Sequence, residues 1–161
     1  MKLIMENWRK FLTEDIQVEN WLWRLTAASK KERLKSFGIR SHTQAMDTGH
    51  KYVNDEGQPE GRIYFFKDQE SALSVMFMRP EDAAYFIGNL QEGDQMALAM
   101  IDSRTLPEEV QYEYDPEISE LNAIYAFIPG VEDWKIEKDS IRAVRTADEL
   151  KPFFMNDNEE D

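Results

Sequence analysis

The sequence predicts an α+β domain whose sheet is mixed or split in two, with two main helices. Three observations carry this. Residues 62–66, Arg-Ile-Tyr-Phe-Phe, form an unbroken aromatic and β-branched run between Gly61 and the charged exit Lys67-Asp68, the pattern of a strand covered on both faces and set inside a sheet. Further apolar runs fall at 21–26, 96–101 and 122–128. Only two substantial helical stretches lie between them, which argues against a regular parallel alternation.

At 161 residues the chain has room for one sizeable core. It divides into an N-terminal segment 1–14, a single domain 15–154 and an acidic flexible tail 155–161. In the first segment Ile4, Trp8, Phe11 and Leu12 recur at helical spacing, with Lys2, Glu6, Arg9 and Lys10 elsewhere, so a short amphipathic helix is expected. The run 21–26 is a strand interrupted by Arg24, and an arginine there must reach water, a carboxylate or a ligand. Ser29 then stands in N-cap position before a helix over 30–37, which Gly38 stops.

Residues 41–60 carry Gly49, Gly57 and Pro59 without periodicity and read as a long functional or mobile loop. It holds His42 and His50, and because Asp47 and Asp55 are weak third ligands, both histidines are expected in solvent rather than on a metal. After the 62–66 strand, Asp68 caps a second helix with Ala72, Leu73, Val75 and Met76 on its apolar face. Met76 and Met78 read as core filling. Pro80 restarts the helix, which ends at Gly88.

Residues 91–94 form a turn, and 96–101 a central strand. The acidic stretch 106–120, with Pro107 and Pro116, reads as solvated and irregular. Residues 122–128 form a strand closed by Pro129-Gly130, and 134–144 offer one more strand or helical turn. Leu150, Phe153 and Phe154 are placed to pin the end of the domain to its body.

Charge excludes some functions. Lys and Arg total 19 against 32 Asp and Glu, a net −13, so a phosphate backbone is repelled and duplex nucleic acid is not the expected ligand. A basic protein, or a small anion held by a few local arginines, is compatible with it. There is no cysteine, hence no disulfide, thiolate metal site or cysteine nucleophile. No run approaches the roughly 20 apolar residues of a membrane helix, and a soluble protein is expected.

No phosphate-binding glycine loop, HExxH, CxxC or Gly-x-Ser-x-Gly is present. What remains is a set of polar residues in or beside strands: Arg24, Tyr64 and Glu120. The pieces Trp23-Arg24-Leu25-Thr26, Phe37-Gly38-Ile39, Ile63-Tyr64-Phe65-Phe66 with Ala72, Met100-Ile101-Asp102, Ile128-Pro129 and Ile141-Arg142-Ala143-Val144 follow one another in a familiar order. Over residues 20–145 this layout resembles the ADP-ribosyltransferase-like superfamily.

The resemblance implies two small sheets around a cleft that binds NAD as substrate, and transfer of ADP-ribose to a host protein or other macromolecule. It gives Arg24 the hold on a ribose hydroxyl or phosphate, suited to a guanidinium's paired donors. Tyr64 would pack on nicotinamide, with Thr26 and Phe65 beside the cofactor. Glu120 stands nearest to the acid that would polarise the ribose and stabilise oxocarbenium character. The family's acid motif is not matched cleanly, and without that acid the fold would bind a ligand and turn over nothing.

The opening Met-Lys-x-Ile-Met-Glu-Asn-Trp-Arg-Lys-Phe-Leu resembles the starts of large tailed-phage proteins, and Leu12-Thr13-Glu14 is similar to sites where capsid-targeting leaders are removed. That resemblance implies a protein packaged in a phage capsid and acting in the host cytoplasm. The alternative is a non-enzymatic internal virion protein, or an acidic inhibitor that occupies a basic host surface.

Overall fold

The structure is a computed structural model that describes residues 20–45, 48–116, 118 and 121–159, the last five by backbone alone. The expected helix or leader over 1–14 lies outside the described residues. Strand β1 (Trp21–Ala27) leads through a 3-10 turn to helix α1 (Lys31–Phe37) and the short β2 (Ile39–Arg40). After the 41–60 loop come β3 (Ile63–Phe66), α2 (Gln69–Met78), a 3-10 turn from Pro80, and α3 (Ala84–Ile87). Then follow β4 (Met96–Asp102), β5 (Gln111–Tyr114), β6 (Ala123–Phe127), β7 (Lys135–Ile136), β8 (Ile141–Thr146) and α4 (Ala147–Glu159).

The α+β class and the division into two sheets hold. Six strands form one sheet in the order β5-β6-β3-β1-β4-β8, and β2 with β7 form a separate ribbon. Every strand pair among the described residues is antiparallel. All four residues of β3 are buried, as its unbroken apolar run requires of an interior strand.

Each face of the large sheet carries its own core. On one face Leu25, Tyr64, Phe66, Leu98 and Tyr125 pack under Ala72, Val75 and Met76 of α2, Phe86 of α3 and Leu150 of α4. On the other, Leu22, Ile63, Phe65, Ala97, Ala99 and Ile124 pack under Leu34 of α1 and the ribbon residues Ile39 and Ile136. Side chains along a strand alternate between these layers, so neighbouring residues serve different cores.

Local signals behave as chemistry demands at Asp68, whose carboxylate accepts from the Ser71 N–H at 2.7 Å and caps α2. Gly38 ends α1 at φ +81, a conformation other residues reach only with strain. Ser29 is not the side-chain cap of α1. Its hydroxyl donates to Asp94 at 2.6 Å, tying the entry of the helix to the turn before β4.

The region 134–144 divides into β7 and the start of β8, and the acidic stretch contains β5. Met76 is buried but Met78 is 66 % exposed, so only the first fills the core. Helix α4 continues to Glu159, into the segment read as a tail.

Candidate functional site

Strands β1 and β4 pair along all seven residues of β1, but β1 and β3 pair only where Trp23 faces Phe66. Beyond that point the two strands part. The Arg24 guanidinium fills the position of the missing ladder bond, donating through Nη1 to the Tyr64 carbonyl oxygen at 3.0 Å. A buried carbonyl needs such a donor, and here a charged side chain supplies it.

Arg24 also opens onto a cavity of about 830 Å3, bounded by β1, α1, the ribbon and the end of α3. Thr26 lines the same space, as do Lys30, Arg33, Arg40, Lys135 and His42. No carboxylate is among the described residues that line it. In a chain of net charge −13 this is a concentrated inversion of sign.

The cations are not equally engaged. Arg40 holds Asp133 through two bonds of 2.9 Å, and Lys135 lies 3.7 Å from Glu137. Among the described residues Arg24, Lys30 and Arg33 make no ion pair. Burial lowers the Arg24 pKa to about 10, yet it remains a cation at neutral pH. A partly buried guanidinium without a counterion among the described residues is the feature of this site that most needs a partner.

His42 contradicts the expectation of a solvent-exposed loop histidine. It bridges to Arg62 at the root of the 41–60 loop and packs beside Tyr52 and Tyr64, with ring centroids 5.6 and 6.2 Å away. Burial and the charges of Arg24, Arg62 and Lys30 lower its pKa to about 4. The loop itself is folded, with Gln44 bridged to Lys51, Val53 to Pro59, and the Asn54 side chain accepting from the N–H groups of Glu56 and Gln58 at 2.9 Å each. Among the described residues no group of three metal-ligating side chains forms.

The remaining expected site residues separate. Tyr64 is 2 % exposed and its ring is enclosed by Tyr52, Tyr85, Phe86 and Tyr125 in the core beneath α2 and α3. Its hydroxyl donates to Asp115 at 2.7 Å, and Tyr85 donates to the same carboxylate oxygen. A ring so enclosed offers no face to a ligand in the cavity. Phe65 is fully buried in the ribbon-side core. Glu120 lies outside the described residues. Arg24 and Thr26 therefore meet at one cavity, while Tyr64 is not among the residues that line it and is joined to Arg24 through its main-chain carbonyl.

The residues missed by motif reading were legible by charge. From Arg24 to Arg40 the chain carries Arg24, Lys30, Lys31, Arg33, Lys35 and Arg40 against the single acid Glu32. A basic stretch inside so acidic a chain is a signal in its own right. Comparison with protein-family models and with curated proteins finds no match to this sequence.

Proposed function

We propose that the chain binds a small phosphate-bearing ligand in the cavity beneath β1, with Arg24 as the charge at its floor and Lys30 and Arg33 at its mouth. One observation carries this reading: a desolvated guanidinium, unpaired with any carboxylate among the described residues, faces a cavity walled by further cations. A phosphate oxygen there would replace lost hydration with charge-assisted hydrogen bonds. The volume, about 830 Å3, suits a ligand up to the size of a dinucleotide, and NAD is the compound that the family resemblance suggests.

Transfer of ADP-ribose to a host macromolecule is a further step that this reading does not need. Breaking the nicotinamide bond calls for a carboxylate near the ribose to stabilise positive charge in the transition state. The described lining offers none. Binding is the better supported conclusion, with transfer resting on the resemblance alone.

Titration calorimetry with NAD and with pyrophosphate tests the binding. The reading expects saturable binding that Arg24→Met removes, in a variant whose circular dichroism matches the parent. Binding unchanged in Arg24→Met, or no binding of either compound, sinks it.

A further inference from the structure

We propose that Phe37 is a stacking platform for an aromatic base, so that the cavity selects a nucleotide over a bare phosphate or sugar phosphate. This rests on the anion-binding reading above and adds the class of ligand.

The argument begins with helical spacing. Lys30, Arg33, Leu34 and Phe37 stand at i, i+3, i+4 and i+7, and all four line the cavity. Leu34 is buried and fixes this stripe against the sheet, so the charges and the ring are presented together. Gly38 then turns the chain at φ +81, and Arg40 follows on the opposite wall. Phe37 thus stands at the lip of the cavity, one helical turn from the Arg33 guanidinium.

Its exposure is the second observation. At 72 % Phe37 is the most exposed large apolar side chain among the described residues, although its helix has a core face available. A single exposed apolar residue needs no explanation by itself. A phenyl ring at the rim of a cation-walled cavity is different, because the two surfaces match the two halves of one molecule. Phosphates take the cations, and a planar base covers the ring, an interaction that tolerates any base because each has a π face. Ile39 and Ile87 add apolar wall to the same cavity.

Titration calorimetry at one ionic strength decides the matter, using ADP, pyrophosphate, ribose 5-phosphate and hexyl phosphate. ADP is expected to bind roughly ten-fold or more tighter than pyrophosphate, the increment typical of one stacked base. Phe37→Ala should erase that difference and leave pyrophosphate affinity unchanged, while Phe37→Trp should retain it and have its fluorescence quenched by ADP. Equal affinities of ADP and pyrophosphate overturn the base platform and leave the anion site standing. Hexyl phosphate binding as tightly as ADP also overturns it, because apolar area rather than a ring plane would then be recognised. If none of the four compounds binds, the anion site itself fails and the platform with it.

Discussion

Arg24 meets Tyr64 through the main chain: the guanidinium donates to the Tyr64 carbonyl while the Tyr64 ring packs in the core beneath α2 and α3. This bond gives Arg24 a structural task that competes with a ligand-binding one. Burial of the charge opposes folding at neutral pH, whereas the bond to the Tyr64 carbonyl favours it. Arg24→Met is expected to change unfolding free energy by less than about 2 kcal/mol, because relief of the desolvated charge offsets the stranded carbonyl, while abolishing anion binding. Urea denaturation measures this. A loss above about 2 kcal/mol would make Arg24 a structural residue first.

His42 sets a pH dependence of known sign. Its Nδ1 lies 2.8 Å from the Gln44 carbonyl oxygen, which can only accept, so Nδ1 carries the proton. Nε2 is then an acceptor, buried and without a hydrogen-bond partner among the described residues. The folded-state pKa is about 4 against 6.5 for the ordinary side chain. Between those values the unfolded chain binds the proton and the folded chain does not, so stability falls as pH drops from about 6.5 towards 4. The full effect is on the order of 3 kcal/mol. Denaturation at pH 7, 5.5 and 4.5 should show it, and His42→Gln should flatten the profile. A profile equally steep in the variant would assign the slope to other groups.

An anion bound at Arg24 would offset part of the positive field on His42 and raise its pKa. Proton NMR titration with and without pyrophosphate reads this directly. The expected result is an upward shift on saturation, and an unmoved resonance would place the anion elsewhere.

The Asp115 carboxylate accepts from both Tyr64 and Tyr85 in the core between α3 and β5. Burial, with Tyr52 and Asp115 nearby, pushes the Tyr64 phenol up, so it stays a donor across the working pH range. Asp115→Ala strands two hydroxyls and is expected to cost about 2–4 kcal/mol, whereas Tyr64→Phe removes one donor and costs about 1–2. Ligand affinity should be unchanged in Tyr64→Phe. Loss of binding there, with folding intact, would restore the ring to the site.

Gly38 is constrained twice. A Cβ at this position would fall 2.1 Å from the Ile136 carbonyl oxygen, and its φ is +81. Gly38→Ala should therefore lower stability by more than about 2 kcal/mol, and more than Gly57→Ala, where nothing lies within 4 Å of the added carbon although φ is also positive. Thermal melts of the two variants make the comparison. Equal losses would show that backbone conformation, not the ribbon's approach, sets the penalty.

How much of this was legible follows from the range of the interactions involved. Ile63–Phe66 announces itself because an interior strand is apolar on both faces, and the Asp68 cap because its bond spans three residues. β5 is hidden since Gln111 and Glu113 look solvated, yet its pairing with β6 comes from residues the local pattern does not contain. Helix α4 is masked by Pro152, which ordinarily argues against a helix interior. Arg24 stood out as a costly charge, but the cavity it faces depends on where β1 and β3 part, a tertiary fact. The burial of the Tyr64 ring is equally tertiary, because a run apolar on both sides gives no phase from which to tell a core ring from a cleft ring.

The two-stranded ribbon joins Ile39 to Ile136 and Arg40 to Lys135, partners drawn from opposite ends of the domain. One cation of the cavity wall, Lys135, therefore comes from far along the chain to stand beside another, Arg40. Without Lys135 and Ile136 the ribbon would lose one of its two strands, and the space before Arg24 part of its wall.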